Sequence, residues 1–105
     1  MDPTRLLFPA LRWSETTGFD HESERIEATL KRGVGGYILF GGAADAVEDL
    51  VGRLQASAPH PLLIGADLER GAGQQFQGCT SLPPAAALGA LDDLESCYRA
   101  GYTTA

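Results

Sequence analysis

The residue types best suited to chemistry gather in one stretch. Asp67 directly follows the apolar run Leu62-Leu63-Ile64-Gly65-Ala66, and Glu69 and Arg70 come just after it. A carboxylate that closes an apolar strand is costly to desolvate unless something hydrogen-bonds it. A sugar hydroxyl would serve, as would a backbone amide or an arginine, or the group caps its own loop. Glu69 and Arg70 read either as site charges or as a surface ion pair of little energetic value. Asp67 and Glu69 together fit an acid–base pair, although two carboxylates at that spacing are not a specific signal.

The neighbouring glycines invite a nucleotide reading that fails. Gly71-Ala72-Gly73-Gln74-Gln75-Phe76 begins like a dinucleotide fingerprint and follows a strand. Phe76 then takes the third glycine's place, and no helix opens there. Gly33-Val34-Gly35-Gly36 precedes a strand and lacks the Lys-Ser/Thr of a phosphate loop. His21 and His60 read as solvated loop residues rather than ligands, and no nucleophile elbow surrounds Ser14, Ser57 or Ser81. Trp13 suits either stacking on a sugar ring or packing against a rim. No metal site and no cofactor is expected. Cys79 and Cys97, the 2 cysteines of the chain, read as unpaired thiols in a reducing compartment, and a cytoplasmic location is the expectation.

Parallel strands must carry this stretch. Leu6 to Leu11 reads as a first buried strand, with Pro9 suited to an edge. Asp20 reads as the cap of a helix that carries Glu22 and Glu24 early, Lys31 and Arg32 late, and stops at Gly33. Gly35 to Phe40 forms the second strand. In the helix after Gly41-Gly42, Val47, Leu50, Val51 and Leu54 recur at helical spacing, with Glu48, Asp49 and Arg53 off the stripe. Pro59 and Pro61 end it before the third strand. A Gly- and Gln-rich loop follows from Glu69 to Ser81, then a short turn after Pro83-Pro84. A last helix starts at Asp92 or Asp93, with Leu94, Tyr98 and Tyr102 on one side.

This β-α-β-α-β-loop-α order predicts an α/β fold of about three βα units with a parallel sheet and right-handed crossovers. Ligands of such folds sit at the strands' C-terminal ends. Three segments reach that place: Arg12-Trp13-Ser14, Gly41-Gly42, and Asp67 to Gly71. The chain has 105 residues, 44% of them hydrophobic, with 8 Lys plus Arg against 14 Asp plus Glu and a net charge of −6. That describes one globular domain, residues 1–105, without a linker. Acidity without a basic cluster disfavours nucleic acid and anionic membrane as partners, and no apolar run is long enough to span a bilayer.

The segments Asp67-Leu68-Glu69-Arg70-Gly71, Gly78-Cys79-Thr80-Ser81-Leu82-Pro83-Pro84 and Ala87-Leu88-Gly89-Ala90 resemble the N-terminal barrel domain of family 3 glycoside hydrolases, nearest the bacterial β-N-acetylhexosaminidase type. Gly33 to Phe40 is similar to that family's second strand, and Leu6 to Ala10 to its first. The resemblance implies a partial (β/α)8 TIM barrel and retaining cleavage of β-linked sugars. It implies that Asp67 holds a sugar hydroxyl and that Glu69 supports the loop. Arg70 stands where the pattern has glycine. Gln75 stands where many members carry a sugar-holding arginine, which makes it a third substrate-binding candidate. The family's Lys-His pair, nucleophilic Asp and general acid would all lie beyond Ala105. The chain thus reads as an N-terminal piece that binds carbohydrate without cleaving it, or alternatively as a small non-catalytic binding or assembly module. Open sheet edges would favour self-association, with Tyr37, Ile38, Leu39, Leu62 and Ile64 partly uncovered.

Overall fold

A computed structural model describes residues 2–105. Its centre is a three-stranded parallel sheet in the order β1 (Ala10–Arg12), β2 (Gly36–Phe40), β3 (Leu63–Gly65). Two helices cross between the strands, α1 (Ser23–Arg32) and α2 (Ala44–Ser57), and α3 (Ala85–Leu91) and α4 (Leu94–Thr104) follow the third strand. This is the expected α/β architecture, an open arc of a βα barrel.

The register fixes which face each residue takes. Leu11 pairs with Leu39, and Tyr37 with Ile64. These side chains point toward the helices, because side chains alternate between faces along a strand. Leu11, Tyr37 and Leu39 are fully buried there, with Leu62 close behind. From above, α2 contributes Leu50 and Leu54, both 2% exposed, and Ile26 and Leu30 of α1 pack on the same cluster. The expected α2 stripe is therefore the seam of the core. The other face carries Ala10, Arg12, Gly36, Ile38, Phe40, Leu63 and Gly65 by the same alternation. Leu63 is left 69% exposed.

Several expectations need correction. Leu6 to Pro9 is not strand. Asp2 accepts a hydrogen bond from the Thr4 amide and Pro3 presets the backbone, so Pro3–Leu6 coils into a 3-10 turn. Leu6, Leu7 and Phe8 remain exposed, and pairing starts only at Ala10. Asp20 does not cap α1 with its side chain. Its carbonyl accepts the Ser23 hydroxyl, and Asp20–Glu22 forms a 3-10 lead-in. Tyr37, Leu39 and Leu62 are not uncovered, because α1 and α2 lie over that face; Leu63, on the concave side, is the uncovered one. His60 is held rather than solvated, its Nε2 donating to the Val34 carbonyl at 2.9 Å. The other stops match. Gly33 ends α1 in the left-handed region at φ 77°, and Asp93 caps α4 by accepting the Ser96 amide at 3.0 Å.

The sheet's free edges are guarded by side chains. Arg25 donates from Nη1 to the Ala10 carbonyl at 3.2 Å on the β1 side. On the β3 side, Gln55 clamps Leu62 with both halves of its carboxamide. Nε2 donates to the Leu62 carbonyl at 2.8 Å, and Oε1 accepts the Leu62 amide at 3.0 Å. Gln55 thus occupies the place a further strand's backbone would take. Beyond β3 the chain spreads out. The radius of gyration is 16.0 Å, against about 13 Å for a compact domain of this size, because α3 and α4 contribute no residue to the core cluster. On α4, Tyr98 and Tyr102 stack on each other at 6.3 Å and face solvent.

Candidate functional site

All three strands run the same way, so their C-terminal ends share one rim. β1 delivers Arg12-Trp13-Ser14 there, β2 delivers Gly41-Gly42, and β3 delivers Ala66 and Asp67. Trp13 is half-buried, set edge-on against Phe19 with ring centroids 5.2 Å apart. The side chain also borders Gly18 and Gly41, where an added Cβ would come within 3.3 Å of the ring and 3.1 Å of the Trp13 Cβ respectively. Those glycines have positive φ and no side chain, which lets the backbone close around the indole. Of the two roles open to Trp13, packing is the one its contacts support. Its buried indole nitrogen has no hydrogen-bond partner among the described residues.

Asp67 lies two residues past the end of β3 and is exposed. No hydrogen bond or ion pair holds its carboxylate among the described residues. The β2–β3 pairing ends at Ile38–Gly65, and the Gly41 amide that a continued ladder would give to Asp67 bonds Gln75 instead. Arg12 pairs with Phe40, and alternation gives both the concave face. The Arg12 guanidinium carbon sits 4.4 Å from the Phe40 ring centroid, in a cation–π contact. Glu69 and Arg70 are exposed, and no ion pair joins them.

The Gly- and Gln-rich loop is fastened to the rim. Gln77 donates its amide to the Gly42 carbonyl at 2.9 Å and accepts the Ala44 amide at 2.9 Å. Gln75 Oε1 accepts the Gly41 amide at 3.0 Å. Gln75 therefore uses its acceptor on the backbone at the end of β2, and only Nε2 remains for a ligand. Gln77 Nε2 reaches Glu15 Oε1 across the βα loops at 3.4 Å. The glycines that resemble a nucleotide fingerprint have a local task. Gly73 donates to the Thr80 carbonyl at 2.8 Å, and a Cβ on Gly73 would collide with Ser81 and Cys79. Gly71, at φ 77°, would bring a Cβ within 2.8 Å of the Thr80 carbonyl. The outgoing and returning limbs of the loop pass too closely for any side chain there.

Burial and charge single out two further groups. Glu22 is 5% exposed, with His21 Nε2 at 3.3 Å from Oε1 and Arg25 Nε at 3.5 Å from Oε2. The Tyr37 hydroxyl meets Thr29 Oγ1 at 2.7 Å, and burial raises its pKa above the usual 10.0. Both groups serve the α1 side of the core and stand away from Asp67 in the chain. A groove of about 440 Å³ lies between α1 and α2 on the outer layer, lined by Ile26, Leu30, Leu50 and Leu54. It shares no residue with the rim. Among the described residues, no group of three His, Cys, Asp or Glu side chains is arranged to hold a metal ion. Among the described residues, no helix is long and apolar enough to cross a membrane.

Chemically, the rim offers the unpaired carboxylate of Asp67, the guanidinium of Arg12 over Phe40, and backbone groups. It can hold hydroxyls. Sequence reasoning singled out Asp67 and the segment Arg12-Trp13-Ser14 for this rim, and strand parity puts Arg12 in the same layer as Phe40. Residues 10–105 match the family described as the glycosyl hydrolase family 3 N terminal domain.

Proposed function

The chain belongs to glycosyl hydrolase family 3, and from that premise we propose that it forms part of the sugar-binding mouth of a retaining glycosidase acting on β-linked N-acetylglucosaminides. The observation that carries this reading is Asp67, an unpaired carboxylate just past a parallel strand's C-terminal end, beside a loop pinned to the neighbouring strand. Its oxygens accept only, so a hydroxyl donor is the natural partner. Glu69 follows in the same loop and supports it.

Retaining hydrolysis needs two groups flanking the scissile bond, about 5 Å apart when both are carboxylates. Asp67 lies just past β3 and Glu69 in the turn that the Gly71 amide closes on the Leu68 carbonyl, and on this reading the two do not oppose each other across a bond. On this reading the 105 residues bind sugar and do not turn it over, because binding without nucleophile or acid leaves the chemical barrier in place. The two exposed free thiols, Cys79 and Cys97, are compatible with a reducing compartment, and we read the location as cytoplasmic.

The test pairs ligand-observed saturation-transfer NMR, using methyl β-N-acetylglucosaminide, with a chromogenic aryl N-acetylglucosaminide assay. Transfer to the sugar that disappears in Asp67→Asn, with no turnover above a buffer blank, is the expected result. Turnover that scales with protein and is lost in Asp67→Asn or Glu69→Gln would move the chemistry into these residues. Absence of any transfer would refute the sugar-binding reading.

A further inference from the structure

We propose that the outward face of α4 is an interface for a second copy of this chain, which packs on it antiparallel about a two-fold axis. The inference is independent of the sugar-binding reading of Asp67.

Leu94, Tyr98 and Tyr102 recur at every fourth position and form one ridge along α4. They are 88%, 68% and 77% exposed, and the two tyrosine rings stack on each other. The opposite side of the helix, Ser96, Ala100 and Thr104, is the half-buried one. The apolar ridge is therefore the side that α4 does not use within its own chain. Large apolar side chains left together in water mark an interaction surface.

Charge identifies the occupant. Glu95 and Arg99 each follow a ridge residue by one position, so they form a row along one flank of the ridge, and both are exposed. The same spacing closes an ion pair in α1, Glu27–Lys31 at 2.7 Å, and in α2, Asp49–Arg53 at 3.1 Å. In α4 it does not, and no ion pair among the described residues includes Glu95 or Arg99. A row with one charge of each sign is its own complement when it runs antiparallel. A two-fold axis level with Cys97 sets Glu95 beside the partner's Arg99, and symmetry repeats the pair. The same register brings Leu94 level with the partner's Ala100, into the gap between the partner's Tyr98 and the partner's Tyr102. Ridge and charges thus agree on one alignment. Cys97 and Gly101, on the other flank, are small enough to let the two helices approach. α4 has 11 residues and is about 16 Å long. A contact of that length falls short of the roughly 800 Å² per partner of a standard stable interface, so the dimer is weak and concentration-dependent.

The experiment is sedimentation velocity of the chain under reducing conditions, over roughly 10 μM to 1 mM, with circular dichroism confirming the fold of each variant. The variants are Tyr98→Lys, Arg99→Glu, the double exchange Glu95→Arg with Arg99→Glu, and Leu63→Lys on the concave face. We expect a concentration-dependent dimer in the wild type. Arg99→Glu should weaken it about tenfold, because two symmetric attractive pairs become repulsive. The double exchange restores opposite charges in the same register and should return the dimer to within about twofold of wild type. Tyr98→Lys should stay monomeric, and Leu63→Lys should dimerise as the wild type does. Should Leu63→Lys fail to fold, the two charge variants decide the question. A wild type that is monomeric throughout, or a dimer indifferent to Arg99→Glu, would overturn the inference. A double exchange no tighter than Arg99→Glu would overturn the antiparallel register. A dimer lost in Leu63→Lys but kept in Tyr98→Lys would overturn the proposal by moving the contact to the concave face.

Discussion

Replacing Gln75 by leucine should loosen the rim by a calculable amount. In the native chain, Gln75 Oε1 accepts the Gly41 amide at 3.0 Å, and its Nε2 has no partner among the described residues. Leucine keeps the bulk and removes the acceptor, which leaves the amide at the end of β2 without its bond. An orphaned buried donor costs about 1–3 kcal/mol. Gly41 is only half-buried, so water recovers part of this and the lower end, about 1 kcal/mol, applies. For a domain near this size that lowers the melting temperature by about 4–8 °C. Gln75→Glu offers the same acceptor oxygen with a charge on it, so it should stay within about 0.5 kcal/mol of wild type. Thermal unfolding followed by far-ultraviolet circular dichroism reads both. If Gln75→Leu melts with the wild type, the bond to Gly41 does not hold the loop. If both variants keep their stability and both lose sugar binding, Gln75 acts on the ligand through Nε2 instead.

Thr29→Val should destabilise more than Tyr37→Phe, although both break the same 2.7 Å contact between the two hydroxyls. Thr29 Oγ1 still donates to the Arg25 carbonyl at 2.7 Å when the tyrosine hydroxyl is gone, whereas the buried tyrosine keeps only a 3.4 Å approach to the Ile26 carbonyl when the threonine is gone. Urea titration should therefore give about 1–3 kcal/mol for Thr29→Val and no more than about 1 kcal/mol for Tyr37→Phe, and the reverse order would contradict the geometry. Tyr37 also sets an alkaline limit. Its folded-state pKa is raised by burial, so the unfolded chain loses this proton first; the contribution is complete below pH 10 and declines as pH rises above it. Melting temperatures measured from pH 9 to 11 should fall in the wild type and flatten in Tyr37→Phe, with an equal slope in both counting against the assignment.

Much of this architecture could be read in advance because its signals were local and periodic. The α2 stripe from Val47 to Leu54 repeats at helical spacing, and Gly33 marks a stop that only a left-handed residue makes cheaply. The first strand was misplaced because an apolar run of Leu6, Leu7 and Phe8 looks the same whether it is buried or exposed. What decided it was a side-chain cap at Asp2 and a pairing register set by β2, and the register is not written in the segment itself. The loop glycines were misleading for a similar reason. Gly71 and Gly73 answer to Thr80 and Ser81, and only the folded path brings those limbs together. Asp67 stood out because it ends an apolar run. The carboxamides of Gln55 and Gln75 were beyond reach, since glutamine bonding to a distant backbone leaves no spacing to detect.

The seating of Trp13 has a practical consequence. It is the 1 tryptophan of the chain, and its side chain lies edge-on to Phe19 and against Gly18 of the β1–α1 loop and Gly41 at the end of β2. Its fluorescence therefore comes wholly from the rim, while far-ultraviolet dichroism comes mainly from helices elsewhere. Emission that shifts red at a lower denaturant concentration than the helical signal is lost would show the mouth opening while the layer of α1 and α2 stays folded. Coincident transitions would make the rim and the core one cooperative unit. The protein thus carries a native optical probe of that boundary, with no label required.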